Sequence, residues 1–140
     1  MHTIRLSASA VEVARCYPVM RELRPHLNAD EFADQVSRQE QAGYRLAYLE
    51  EGEVRSVAGF RILENLAWGK FFYVDDLVTR AADIGKGYGS ALLDWLLNHA
   101  KEQGCEQFHL DSGVQRFDAH RFYLVKGMAI TCHHFVLKLP

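Results

Sequence analysis

The run Asp75-Asp76-Leu77-Val78-Thr79-Arg80-Ala81-Ala82-Asp83-Ile84-Gly85-Lys86-Gly87-Tyr88-Gly89-Ser90 constrains this chain more than any other. It reads as a strand that passes through a glycine-rich turn into an amphipathic helix. Glycine lets backbone approach a ligand closely, and the first amides of a helix have no intrahelical acceptor. Such a turn can hold phosphate oxygens, with the helix dipole adding attraction and Lys86 a further positive charge. The same turn also serves as a tight connection that binds nothing. Two familiar phosphate signatures are absent. A P-loop needs Gly-x-x-x-x-Gly-Lys followed by Ser or Thr, and a dinucleotide fingerprint puts its third glycine where Ser90 stands.

The flanking elements decide what kind of sheet surrounds the turn. Residues 3–6 read as a strand, and residues 8–23 carry Val11, Ala14, Tyr17 and Met20 at helical spacing before Pro25. Asn28 offers an N-cap to a second helix with Phe32 and Val36 on its apolar face, ending near Gly43. Residues 44–49, 54–63 and 68–79 are rich in β-branched and aromatic side chains, with Glu51-Gly52 and Glu64-Asn65 as turns. An antiparallel meander of this kind argues against a doubly wound nucleotide-binding sheet. Ala91, Leu92, Trp95, Leu96 and His99 predict a helix up to Gly104, followed by a strand at 108–110. Asp118 is placed to cap a last helix through Val125, and residues 130–139 predict a closing strand.

Composition narrows the function classes. A chain of 140 residues, 49% hydrophobic and 24% charged, is expected to form a single packed domain over residues 1–140. Its net charge of −2 supplies no basic field, so nucleic acid is not an expected partner. Cys16, Cys105 and Cys132 suit neither a disulfide framework nor a zinc set, which predicts a reducing, cytoplasmic setting. No run approaches the ~18 apolar residues of a membrane span, so no membrane partner is expected. The seven histidines show no ligand spacing, and no metal is expected. His133 and His134, adjacent in an expected strand, would face opposite ways.

The segment Ile84-Gly85-Lys86-Gly87-Tyr88-Gly89, followed by Ser90-Ala91-Leu92-Leu93, resembles the GNAT N-acyltransferase superfamily. That family's signature is [Gln/Arg]-x-x-Gly-x-[Gly/Ala] between its fourth strand and the next helix. This chain departs from it at Ile84, which stands at the Gln or Arg position. A second segment, Asp118-Ala119-His120-Arg121-Phe122-Tyr123-Leu124-Val125-Lys126-Gly127-Met128, is similar to the family's late helix. The wider run from Asp111 to Leu124 is similar to the aminoalkylphosphonate N-acetyltransferases.

The resemblance implies an α/β (α+β) fold with a mixed central sheet of about six to seven strands, its N-terminal part an antiparallel meander, flanked by about four helices. It implies acetyl-CoA as cosubstrate and the primary amine of a small molecule as acceptor. The pyrophosphate would lie on Gly85, Lys86, Gly87, Tyr88, Gly89 and Ser90. The backbones of Leu77, Val78 and Thr79 would pair with the pantetheine arm as an added strand. Tyr123 would protonate the departing thiolate, and Asp75 or Asp76 would deprotonate the amine. Successive strand residues face opposite ways, so both carboxylates enter one cleft only if the strand is bulged there. The acceptor pocket would draw on the first two helices and their loop, with Arg21, Arg24, His26 and Asn28. A homodimer is also implied. The competing reading is a non-catalytic acyl-CoA-binding module, for which Ile84 is the feature.

Overall fold

Ser9 and Asn28 set where the chain first turns helical. In the computed structural model, which describes residues 1–140, Ser9 Oγ accepts from the Glu12 amide at 3.2 Å and opens α1 (Ala10–Leu23). Asn28 Oδ1 accepts from the Asp30 amide at 2.8 Å and opens α2 (Ala29–Gln41). Each oxygen satisfies a first-turn donor that the helix itself cannot. α1 buries Val13, Cys16, Val19 and Met20, and α2 buries Phe32 and Val36, one stripe per helix. Pro18 lies inside α1, where its missing N–H removes one helical bond.

The strands are β1 (Thr3–Leu6), β2 (Tyr44–Glu51), β3 (Glu53–Asn65), β4 (Gly69–Thr79) and β5 (Gln107–Leu110), joined in the order β1-β2-β3-β4-β5. The first four pair antiparallel as a meander. A turn of 3-10 helix (Ala81–Asp83) and then α3 (Tyr88–Glu102) carry the chain from β4 to β5, the crossover that a parallel neighbour requires. Helices cover both faces of the sheet. Tyr44, Leu46, Tyr48 and Val57 pack with α1 and α2. Phe60 stacks on Phe72 at 4.4 Å on the other face, and His99 of α3 meets the Phe60 ring edge-on at 5.6 Å.

The expected class therefore holds: a mixed α/β chain with four helices. The strand count does not, because there are five strands and no sixth or seventh. Residues 130–139, expected as a strand, form no regular element, and Ile130, Phe135, Val136, Leu137 and Leu139 are exposed. β-propensity expresses packing against neighbours, and this segment has the composition of a strand without a ladder. The last helix, α4 (Phe117–Val125), has Arg116 at its N-cap; Asp118 lies in its first turn and does not cap it. The chain packs as two compact units, Met1–His109 and Leu110–Pro140.

One irregularity in the sheet positions everything that follows. Along β3 and β4, Gly59 faces Asp76 but Phe60 faces Val74, so Asp75 is an extra residue with no partner opposite. This is a β-bulge, and it breaks the alternation that would send Asp75 and Asp76 to opposite faces. Gly59 is glycine for a steric reason. A Cβ there would lie 1.7 Å from the Tyr44 hydroxyl oxygen and 2.3 Å from Cζ. The Tyr44 ring therefore lies across bare backbone, and its hydroxyl donates to Asp76 Oδ2 at 2.9 Å.

Replacing Gly59 with alanine should displace that ring and destabilise the protein by about 1–3 kcal/mol, the usual cost of overpacking. Urea denaturation measures this; an unchanged midpoint would show that the Tyr44 ring is not held by contact with Gly59.

Candidate active site

The bulge opens onto a cavity of about 490 Å³ lined by Arg24, His26, Tyr44, Arg61, Asp75 and Asp76, with apolar walls from Met20, Phe32 and Val36. Both carboxylates expected from the sequence thus reach one cavity, although they are adjacent in a strand. Their surroundings differ. Asp76 accepts from Arg24 Nε at 2.9 Å and from the Tyr44 hydroxyl, while Arg24 Nη2 donates to the Asp75 carbonyl at 3.0 Å. Burial, and then the charge of Asp76, push the Tyr44 phenol well above its ordinary range, so it stays a donor. Asp76 is thereby locked from two sides.

Asp75 is held more loosely. Its two oxygens share the single Nε donor of Arg61, at 3.0 and 3.1 Å. Desolvation lifts its carboxyl above the ordinary range, and the Arg61 hydrogen bond offsets that only in part. Sequence spacing does not reveal Arg61, Tyr44 or Tyr73 as cavity residues. Strand alternation around the bulge carries the signal, because Arg61 is paired with Tyr73 and both lie on the Tyr44 side. Of the expected helix residues, Arg24 and His26 line the cavity. Arg21 is exposed, and Asn28 is occupied as the α2 cap.

β4 continues from the carboxylates through Leu77, Val78 and Thr79, which pair with Ala58, Val57 and Ser56 of β3. On its other side, β5 begins beside Lys70, where the Glu106 amide donates to the Lys70 carbonyl at 2.7 Å. Four residues of β5 cannot span the eleven of β4, so residues 77–79 lie beyond its reach. That leaves strand-edge backbone next to the carboxylates, the arrangement that accepts an added extended chain.

The glycine turn follows. Gly87 takes φ +89° as the N-cap of α3, a left-handed conformation that strains any residue with a Cβ. No side chain caps this helix, its first turn holds no acidic residue, and its first internal bond is Ala91 N–H to the Gly87 carbonyl at 3.1 Å. The amides of Tyr88, Gly89 and Ser90 therefore point out of the helix without an internal acceptor. Positions 85 and 87 have open space where a Cβ would be, whereas a Cβ at Gly89 would sit 3.0 Å from Thr79 Oγ1. The first two glycines shape a cradle and the third lets helix and strand approach. These features suit an anionic pyrophosphate.

Lys86, expected to add positive charge at the turn, meets a carboxylate of the turn itself. Its ammonium pairs with Asp83 at 3.0 Å, and its amide donates to the Asp83 carbonyl at 3.2 Å. Asp83, 1% exposed, also accepts from Arg80 Nε at 2.6 Å and from Arg55 at 3.2 Å. The Arg80 hydrogen bond above all, then Lys86, hold this carboxyl well below the usual range. Three cations on one buried carboxylate fasten the turn to β3. Ile84 beside it is exposed.

Tyr123 lies in α4 of the C-terminal unit. It is nearly buried there, and desolvation raises its phenol above the ordinary range while Arg116 pulls the other way. His120 is a helix residue whose Nε2 meets the Gly113 carbonyl at 2.7 Å.

One strand thus joins a cavity with a bulged carboxylate pair to an uncapped glycine turn. The model of the acetyltransferase (GNAT) family matches residues 10–128, and the chain belongs to that family. It is 34% identical over 134 residues to the uncharacterized N-acetyltransferase YhdJ of Bacillus subtilis, covering 94% of each chain. It is 35% identical over 85 residues to an aminoalkylphosphonate N-acetyltransferase of Salmonella typhimurium, covering 60% of this chain and 54% of that protein. Among solved structures, AAC(6')-Iy in complex with a CoA bisubstrate analogue has the same fold. Its TM-score is 0.83 at 11% identity, over 100% of this chain and 99% of that one.

The depressed Asp83 carboxyl contributes stability that is full above the unfolded carboxylate pKa and is lost as pH falls through the lower folded value. The stability gap between the wild type and Asp83→Asn should therefore be constant above about pH 5 and shrink toward pH 2. Thermal melts across that range test it; a gap independent of pH would remove Asp83 as the clasp.

Proposed function

We propose that the protein transfers an acetyl group from acetyl-CoA to the primary amine of a small molecule, by direct attack within a ternary complex. The observation that carries this reading is the continuity of β4. One strand bears the cavity carboxylates, then a free edge at residues 77–79, and then runs into the glycine turn. Gly85, Gly87 and the amides of Tyr88, Gly89 and Ser90 would hold the pyrophosphate, and the backbones of Leu77, Val78 and Thr79 the pantetheine arm. When bound, the thioester supplies the acetyl carbonyl.

The chain's own groups divide the proton work. Asp75 takes the proton that the ammonium must lose, directly or through a water, because its desolvated carboxyl is raised toward the range of a useful base. Asp76, fixed by Arg24 and Tyr44, positions the bulge instead. As the C–N bond forms and the C–S bond breaks, the acylated nitrogen sheds its second proton to solvent water, while the Tyr123 phenol gives its proton to the departing sulfur and is reprotonated from solvent. Its raised pKa keeps that proton in place at neutral pH. One observation favours a second reading, a non-catalytic acyl-CoA-binding module: exposed Ile84 replaces the family's polar residue at the turn.

Steady-state CoA release separates the two. Tyr123→Phe and Asp75→Asn should each lower kcat by about 10²- to 10⁴-fold, with much smaller changes in acetyl-CoA affinity. The base form of Asp75 disappears as pH falls through its raised pKa, so the acid limb of kcat/KM should lie above that of an ordinary aspartate and vanish in Asp75→Asn. Acetyl-CoA binding without transfer to any amine in a broad panel would favour the binding module.

A further inference from the structure

Residue 116 breaks the local rules of the helix it opens. Arg116 is the N-cap of α4, at φ −90° and ψ 67°, and no side chain caps that helix. Asp, Asn, Ser and Thr are the usual residues there because their oxygens accept the first amides, whereas a guanidinium has no acceptor. A cation at a helix N-terminus also meets the positive end of the helix dipole. Asp118, the acidic residue of the first turn, pairs with Arg121 and not with Arg116. Nothing in the stability of α4 itself favours arginine at 116, and departures from local preference concentrate at functional sites.

The side chain has its partner further along the same helix. The Arg116 carbonyl accepts the His120 amide at 3.0 Å, and the Arg116 amide donates to the Gly113 carbonyl at 3.0 Å, so the backbone is pinned on both sides. The seven residues from Arg116 to Tyr123 make close to two helical turns, which sets the two on one face of α4. Helical side chains lean toward the N-terminus, so the Tyr123 ring leans toward residue 116. Tyr123 is 9% exposed, and Arg116 is itself partly buried. Arg116 acts on the phenol by charge and then by hydrogen bonding, both in favour of the ionised form that burial opposes.

We propose that Arg116 is a positioning residue for the reaction, its guanidinium held against the Tyr123 phenol to share the negative charge that proton transfer leaves on that oxygen. This rests on the acetyl-transfer reading above. The C–S bond breaks with its electron pair going to sulfur, and the phenol O–H proton passes to that sulfur. The phenol oxygen then carries a full negative charge until solvent returns a proton. A lone phenolate in a desolvated setting is costly, and a guanidinium already in place lowers that cost as the charge appears. Arg116 therefore acts through Tyr123, and the weak cap of α4 is the structural consequence of holding the cation there.

The test uses Arg116→Ser, which removes the cation and supplies a capping hydroxyl, and Arg116→Lys, which keeps the charge and loses the planar fork. Arg116→Ser should melt no lower than the wild type. Its kcat with acetyl-CoA and a responsive amine should nevertheless fall by about 10- to 100-fold, with acetyl-CoA affinity little changed. Arg116→Lys should fall between. A 3-fluorotyrosine placed at position 123, a more acidic phenol, reports its own ionisation by fluorine NMR. That ionisation should move to higher pH in Arg116→Ser, and the fluorinated residue should restore part of the lost kcat. An ionisation or a kcat indifferent to residue 116, or a kcat loss matched by a lower melting temperature in both variants, would overturn the proposal and leave acetyl transfer intact. An ionisation that follows residue 116, in a protein that transfers acetyl to no amine, would uphold the Arg116–Tyr123 pairing and sink acetyl transfer.

Discussion

The extra residue in β4 is the constraint on which the site depends. Without the bulge at Asp75, strand alternation would place one of the two carboxylates on the α3 face, among Phe60, Phe72 and His99. With it, both reach the cavity on the α1 and α2 side. The bulge is itself held by tertiary contacts. Gly59 has no side chain, so Tyr44 can cross the strand, and the Tyr44 hydroxyl and Arg24 together fix Asp76. A packing fact in β3 therefore determines which carboxylate is held from two sides and which meets a single guanidinium.

The glycine turn has an anchor of its own. Asp83 supplies that anchor. Its carboxylate is desolvated, a costly state for a lone charge, and the surrounding Arg55, Arg80 and Lys86 compensate it. Arg55 comes from β3, so the clasp ties the turn to the strand that also faces the bulge. The Arg55 guanidinium lies 5.9 Å from the centre of the Tyr88 ring at the start of α3. Cavity and glycine turn are thus fastened to the same strand.

Much of this was legible in the sequence where local chemistry decides. The Asn28 cap, the meander and the α3 start follow from turn residues, periodicity and the glycine spacing, and the bounds agree to within a few residues. The carboxylate pair was legible as a pair, but the different surroundings of its two members were not. Arg61 lies 14 residues from Asp75 and Arg24 lies 52 from Asp76, and nothing local announces either contact. Lys86 shows the same limit. Beside two glycines it reads as a phosphate ligand, and nothing local announces that it also pairs with buried Asp83, which Arg55 of β3 reaches. At residues 130–139 the composition of a strand was present, but a strand also needs a partner edge, which composition does not supply.

The most direct measurement is a thermal-shift comparison of the wild type with acetyl-CoA, CoA, NADH and ATP. A ligand at about 100 times its Kd stabilises the folded state by roughly 2.7 kcal/mol, enough to move a melting temperature by several degrees. An acyl-CoA cradle at Gly85, Gly87 and the α3 amides requires a clear shift with acetyl-CoA and with CoA, and none of that size with NADH or ATP. A flat response to both CoA ligands would contradict it, and would mean that Ile84 marks a turn that no longer binds.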